Sequence, residues 1–496
     1  MDYMDLKSGT DIRGVALQGD EEIDLTHEVV YRIAQGFAHW LFERFNSREE
    51  ISVAVGNDSR ISAQRIKKTF LNGLSQAGIA IKDCGLSSTP AMFMTTVNLG
   101  CSAAVEITAS HHPFNKNGFK FFVRQGGLDS QDIEKILTYA QKGVLFTAQV
   151  PGDIEEINHM NTYAENLRQY ICEAVNADDY SRPLRGFKIV VDAGNGAGGF
   201  YADKVLEPLG ADITGSQFLE PDGLFPNHVP NPEDAQAMRF ISQATVQNNA
   251  DLGIIFDTDV DRAACVGGNG QEINKNKLIA LASCIALEDN EGGTIVTDCV
   301  TSSGLKDFIE NELSGRHHRF KRGYKNVINE AVRLNLECSV NAPLAIETSG
   351  HAAMRENYFL DDGAYLITRI IIKMAQLSKE GRTLESLIEN LVEPCGEAEY
   401  RIGILDKNFK EYGDKVIKEL EEYVDLNDKF VKAQDSYEGI RASMPCCEGW
   451  FLLRLSVHDP ILPLNIESNN DSGVSIIREE VKNFLKNYAN LDITSL

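Results

Sequence analysis

Apolar and polar positions along the chain fall into a repeating order: a short apolar run, a loop of turn formers, a helical stretch, and a second apolar run. Residues 51–56 (Ile-Ser-Val-Ala-Val-Gly) read as a buried strand, and 57–60 (Asn-Asp-Ser-Arg) as the loop that leaves it. A helix is predicted from about Ser62 to Ala77, and a further strand from Ile79 to Asp83. The unit recurs. Residues 187–192 lead into Gly194-Asn195-Gly196-Ala197-Gly198-Gly199, a helix and a strand around Ile213. Residues 294–298 lead into Thr301-Ser302-Ser303-Gly304, a helix and a segment around Phe320. Such repeats predict an α/β fold: three related domains with mixed or parallel sheets. Functional loops are then expected at the carboxyl ends of the strands. Residues 391–396 break a helical run and read as a linker, and the remainder of the chain reads as a smaller α+β domain.

Between two further apolar runs, 103–107 and 119–123, lies Thr108-Ala109-Ser110-His111-His112-Pro113-Phe114-Asn115-Lys116-Asn117-Gly118. Pro113, Asn115, Asn117 and Gly118 form turns, so Ser110 sits on a loop at a strand end. Imidazoles and lysines flank it. Cationic neighbours would stabilise the charge of a phosphoserine, and a polar hairpin loop accounts for the same residues. The strongest chemical pattern is Asp257-Thr258-Asp259-Val260-Asp261-Arg262, leaving an apolar strand at 251–256. Three carboxylates at alternating positions can converge only if the backbone turns around a common centre, for which a hard, oxygen-seeking cation is the obvious choice, and a solvated acidic loop accounts for the same residues. An EF-hand is rejected, because Arg262 and Gly268 stand where its glycine and glutamate belong. Gly194, Gly196 and Gly199 satisfy G-x-G-x-x-G after a strand, a pattern shared by dinucleotide sites and by tight strand-to-helix turns. The acidic residue that a dinucleotide site needs at the tip of the second strand is missing, since Asp212 falls at its beginning.

The chain has 496 residues and 43 % hydrophobic content, enough for three or four domains. Its formal charge is −25, from 73 acidic against 48 basic residues, a field that repels nucleic acid and anionic membrane. An anionic small substrate then requires local clusters of Arg, Lys and backbone N–H. No apolar run approaches the length of a membrane span, and residues 1–5 read as neither signal nor transit peptide. Ten scattered cysteines read as reduced thiols of a cytoplasmic protein.

Several segments together resemble the α-D-phosphohexomutases, the phosphomannomutase and phosphoglucomutase family. Residues 108–113 match its T-A-S-H-x-P loop, with His112 where Asn is usual. Residues 8–14 (Ser-Gly-Thr-Asp-Ile-Arg-Gly) resemble G-T-x-G-I-R-G, with Asp11 in place of a glycine. Residues 221–232 match P-D-G-x-F-P-x-H-x-P-N-P, and 257–262 match the D-x-D-x-D-R metal loop. Lys321-Arg322-Gly323-Tyr324-Lys325 has Tyr324 where the family has His. Residues 347–351 match the E-x-S-G-H part of the sugar loop. Arg454, Ser456 and Pro460 match R-x-S-x-T-x-P, with His458 replacing threonine.

The resemblance implies four domains around a central cleft, divided near 1–155, 156–264, 265–390 and 391–496. It implies a hexose phosphate substrate, mannose or glucose or both, with phosphoglucosamine mutase or a non-catalytic mutase-like binding protein as alternatives. Ser110 would carry the phosphoryl group. Mg²⁺ would sit on Ser110, Asp257, Asp259 and Asp261, with Lys120, Arg262 and His111 flanking the transfer. Glu347, Ser349, His351 and Tyr324 would hold the sugar. Arg454, Ser456, His458 and Arg13 would hold phosphate. A monomer or homodimer is expected.

Overall fold

The computed structural model describes residues 1–19, 21–46, 50–456 and 459–496. The chain divides into two compact units, one of Met1–Asn274 with Ser349–Ser386, the other of Lys275–Thr348 with Leu387–Leu496.

Among the described residues the first unit holds two whole sheets, together with the antiparallel pair Ala352–Met354 and Leu360–Asp361. The larger is mixed, with neighbouring strands in the order Lys7–Ser8, Asp11–Val15, Lys116–Val123, Ala103–Ile107, Ser52–Asn57, Ala80–Leu86 and Ile154–Glu156. Its central pairs Ser52–Asn57/Ala80–Leu86 and Ser52–Asn57/Ala103–Ile107 are parallel, and Ala103–Ile107 runs antiparallel to Lys116–Val123. Helix Ala63–Gln76 buries Ile66, Phe70 and Leu74, a four-residue spacing that keeps one face on the sheet. Helix His27–Phe45 starts where the Thr26 hydroxyl accepts the Val29 N–H and ends at Asn46 in the left-handed region. Between helices and sheet, Phe37 lies 4.7 Å from Phe121, and Phe70 lies 4.9 Å from Phe119. Each such fully buried ring contributes about 1.5–3 kcal/mol.

The smaller sheet runs Glu272–Ile273, Ala263–Gly267, Leu252–Phe256 and Ile189–Asp192. Its last two strands are parallel, and Ala263–Gly267 is antiparallel to Leu252–Phe256. The returning segment adds helix Gly363–Lys379, which packs on helix His159–Val175 and on strand Ala263–Gly267. Here one expectation fails and another is met in altered form. The strand around Ile213 is reduced to single bridges, Lys188 with Asp212 and Asp192 with Gln217. The Asp212 side chain captures the Thr214 N–H in a turn, and Gly215 follows at φ +105°. The helix after the glycines is a wide π-helical stretch, Tyr201–Leu206.

In the second unit, strand Thr294–Asp298 lies parallel between Arg316–Phe320 and Leu344–Ile346. The C-terminal sheet is six-stranded, ordered Val431–Lys432, Ile440–Met444, Gly449–Leu453, Ile461–Ser468, Gly396–Ile404 and Leu491–Asp492. Helices Phe409–Asp425 and Gly473–Leu485 cover one of its faces, burying Leu420, Ile440, Phe451, Leu453, Ile477 and Val481. The three α/β sheets and the sheet-rich C-terminal domain match the predicted fold class.

Candidate functional site

Ser110 follows the strand Ala103–Ile107 on a loop and is 3 % exposed, with φ at +52°. Its own N–H donates to the Thr108 hydroxyl at 2.8 Å. The loop is fastened by Arg60, which nothing in the sequence marks out from an ordinary loop residue. One guanidinium donates to the carbonyls of Ser110 (2.5 Å), His112 (2.6 Å), Pro113 (2.7 Å) and Lys116 (2.9 Å). Asp58 holds Arg60 through its Nε at 3.1 Å and accepts the Thr108 hydroxyl at 2.7 Å. Burial pushes the Asp58 carboxyl up to about 6 against the pull of Arg60.

Facing Ser110 are the three aspartates, at most 1 % exposed. The Ser110 Oγ lies 3.3 Å from Asp257 Oδ2 and 3.3 Å from His111 Nδ1, and an Arg262 Nη lies 3.5 Å from it. Arg262 in turn donates from Nε to Asp257 at 3.1 Å. Val260, at φ +67°, turns the aspartate loop back on itself, so carboxylates at alternate positions come to one point. One oxygen from each of Asp257, Asp259 and Asp261 lies within 4.8 Å of the others.

Lys120 enters this cluster from the neighbouring strand, 2.8 Å from Asp259 and also bonded to Asp261. Thr89 donates its hydroxyl to Asp259 at 2.5 Å and its N–H to the Asp259 carbonyl at 2.8 Å. Even so, Oδ1 of Asp259 and Oδ1 of Asp261 are buried without a hydrogen-bond donor among the described residues. Buried, unmatched carboxylate oxygens on a converging hard-donor set fit a small divalent cation.

The electrostatics are consistent with that reading. Burial, then Asp261 and Asp259, hold the Asp257 carboxyl far above the usual range. Burial opposes ionisation of Asp261 too, but Lys120, His351 and Arg262 prevail and lower it. Burial and the positive charge of Arg262 bring His111 down to about 2, and burial with Arg13 and Arg60 brings His112 to about 3. Both imidazoles beside Ser110 are therefore neutral near pH 7, and Arg13, paired with Asp11 at 2.8 Å, belongs to the same positive surround.

His351 lies beside the aspartates. Its Nδ1 is 2.6 Å from Asp361 and 3.9 Å from Asp261. Burial favours the neutral ring, but Asp361 and Asp261 outweigh it and raise the group to about 9. Thr89 carries no sequence signal, because its partner Asp259 lies 170 residues away; Asp361 lies ten residues from His351, but no motif marks it.

Of the expected sugar and phosphate residues, Ser349 and His351 belong to the first unit, while Glu347, Tyr324, Arg454 and Ser456 belong to the second. In the second unit the Glu347 carboxylate accepts the Gly323 N–H at 2.6 Å, just before Tyr324 opens helix Tyr324–Glu337. Arg322 donates its N–H to Glu438 at 2.9 Å, and Arg454 places a guanidinium nitrogen 3.6 Å from the same carboxylate. The Nε of Arg454 is buried without an acceptor among the described residues. Ser456 accepts the Asp459 N–H at 3.2 Å, and His458 lies outside the described residues. The G-x-G-x-x-G segment packs as a tight turn. A Cβ at Gly196 would stand 2.6 Å from the Thr258 carbonyl, and one at Gly199 2.3 Å from that of Leu219.

Comparison with known proteins places this geometry. Family models described as phosphoglucomutase/phosphomannomutase α/β/α domains I, II and III match residues 5–144, 161–270 and 274–395. A phosphomannomutase/phosphoglucomutase of Pseudomonas syringae pv. tomato is 29 % identical over 94 % of this chain and 92 % of its own length. A phosphoglucomutase of Neisseria gonorrhoeae is 27 % identical over 96 % of each. The crystal structure of a phosphoglucomutase/phosphomannomutase family protein from Burkholderia thailandensis superposes with a TM-score of 0.81 at 25 % identity, covering 99 % of this chain and 100 % of that one. With the serine loop, the aspartate cluster and all three domain models in one order along the sequence, the chain belongs to the phosphoglucomutase/phosphomannomutase family, the α-D-phosphohexomutases.

Proposed function

We propose that this enzyme interconverts hexose 1-phosphate and hexose 6-phosphate through phospho-Ser110 and a bisphosphorylated sugar. The observation that carries the reading is the Ser110 hydroxyl, 3.3 Å from Asp257 and 3.5 Å from Arg262 at the edge of three buried carboxylates. In the first step the bond from phosphorus to Ser110 Oγ breaks as one forms to the free sugar hydroxyl. The sugar hydroxyl loses a proton and Ser110 Oγ gains one as the phosphoryl group leaves. Lys120 is assigned to accept the sugar's proton, which requires its amine form rather than the ammonium paired with Asp259 and Asp261. After the bisphosphate turns over, the reverse transfer takes the other phosphoryl group back to Ser110. Arg262 neutralises charge on the moving group, and neutral His111 orients the serine oxygen. Asp257, Asp259, Asp261 and an oxygen at Ser110 would hold Mg²⁺, which when bound supplies further charge neutralisation there. Glu347, Ser349, His351 and Tyr324 are assigned to the sugar. Arg454, Ser456, His458 and Arg13 are assigned to phosphate.

A coupled assay offering mannose, glucose and glucosamine 1-phosphates in parallel tests the reading. Isomerised 6-phosphates of mannose and glucose are the expected products. Release of inorganic phosphate alone would make the protein a phosphatase, and no conversion at all a binding protein. Exhaustive chelation should abolish isomerisation and added Mg²⁺ should restore it. Unchanged turnover in the chelated enzyme would leave the aspartates as a structural cluster neutralised by Lys120.

Arg454→Ala should raise KM roughly tenfold to a hundredfold, the loss of one charge-assisted bond of ~1.5–3 kcal/mol. Lysine should rescue only part of it, for want of the guanidinium fork. An unchanged KM would move the phosphate to other groups, with Arg322 first to test.

A further inference from the structure

The second unit contains a cavity of about 410 Å³ that takes no part in the proposed reaction. Its walls include Lys306, His317, Arg319, Asp435, Arg441 and Trp450. The pleat explains why cations gather there. Alternate residues of a strand share a face, so His317 and Arg319 project together from strand Arg316–Phe320. On the C-terminal sheet, Ser443 pairs with Trp450 and Arg441 with Leu452. These four residues therefore share the face opposite the one covered by the two helices, whose core takes Ile440, Ala442, Phe451 and Leu453 instead.

Arg319 and Arg441 are each 4 % exposed. Arg441 places its Cζ over the Trp450 ring, 3.5 Å from the centroid, and donates to the carbonyls of Cys299 (2.7 Å) and Thr301 (3.0 Å). It bonds to no carboxylate among the described residues. Arg319 donates to Asp435 at 3.1 Å and to Ser302 and Thr301. Glu467, behind the ring, accepts from Trp450 Nε1 and the Ser303 N–H, and burial raises it toward neutrality. The lining thus sets Lys306, Arg319 and Arg441 against Asp435 alone, in a chain whose net charge is −25. His317 adds an orphan group. Its Nε2 is 2.8 Å from the Thr297 hydroxyl, while its buried Nδ1 has no partner among the described residues.

We propose that this cavity is a binding site for a compact multivalent anion, a small molecule bearing a phosphate or pyrophosphate group. Two guanidiniums offer in-plane donors matched to phosphate oxygens, and Lys306 adds a point charge. The volume exceeds what a bare orthophosphate fills and lies at the small end of ligand pockets. The site's occupancy does not depend on the reaction proposed above.

The test uses the full chain. Crystals soaked in sodium tungstate are read by anomalous scattering, and the protein in solution is titrated calorimetrically with inorganic pyrophosphate. The expected result is an anomalous peak between Lys306, Arg319 and Arg441, with a matching class of binding sites in solution. Lys306→Glu, at a half-buried position, should remove that peak and weaken that class at least tenfold. Its isomerisation rate without added anion should equal the wild type. The absence of a peak in the cavity would overturn the proposal. So would a peak that persists in Lys306→Glu, or one with no counterpart in solution that Lys306→Glu weakens. Arg441→Ala is avoided, because losing the stack on Trp450 would confuse misfolding with lost binding.

Discussion

Ser110→Ala should lose hexose phosphate isomerisation by a factor on the order of 10⁴ or more, while folding as the wild type does. The fold is spared because the Ser110 hydroxyl makes only long contacts, at 3.3 and 3.5 Å, and the loop is held through main-chain carbonyls by Arg60. The activity is not spared, because the other hydroxyl bonded to the aspartate cluster, that of Thr89, is already committed as a donor to Asp259 at 2.5 Å. Intact-mass measurement of the wild type should find an added phosphoryl group, absent from the variant. A variant that turns over at the wild-type rate would remove Ser110 from the mechanism. A variant that fails to fold would show the hydroxyl to be structural.

Arg60→Ala should be the most destabilising single change in the first unit. Its side chain closes four carbonyl contacts and a buried ion pair with Asp58, both partners being at most 2 % exposed. Removing it leaves Asp58 buried without its cation, a loss of about 3–5 kcal/mol. Urea unfolding followed by fluorescence would measure it. Arg60→Lys should recover little, since an ammonium cannot span carbonyls of Ser110, His112, Pro113 and Lys116 at once. The double variant with Asp58→Ala should be less damaging than the sum of the two singles, because the orphaned charge is gone. A loss under about 1 kcal/mol for Arg60→Ala would mean the loop closes without it.

These two residues mark where sequence reading succeeds and stops. Ser110 is legible because its setting is local: an apolar run, turn formers and basic neighbours within a dozen residues. The strand at Thr294–Asp298 is legible for a similar reason, its β-branched run Thr-Ile-Val-Thr standing ahead of a turn. The aspartates are legible because alternating carboxylates demand a counter-charge. Arg60 is not, since its work is done on carbonyls fifty residues away, and carbonyls leave no trace in a sequence. Thr89 goes unread on the same ground: it finds Asp259 through tertiary folding alone. The strand expected at Ile213 fails because local bonds win over pairing, the Asp212 carboxylate holding Thr214 and the Ser216 hydroxyl taking the Val191 N–H.

The return of Ser349–Ser386 to the first unit bears on how the protein is made. Tyr163 buries its hydroxyl against Asp362 at 2.7 Å, and Tyr201 bonds Thr368 at 2.8 Å. When residue 274 leaves the ribosome, those hydroxyls and the surface under helix Gly363–Lys379 still lack their cover. At about 5–20 residues per second, the missing segment emerges only after several seconds, with the intervening stretch already assigned to the other unit. The N-terminal body must therefore wait, partly open, for its last piece. A nascent chain stalled shortly after residue 274 should be protease-sensitive, and one stalled well past residue 386 resistant.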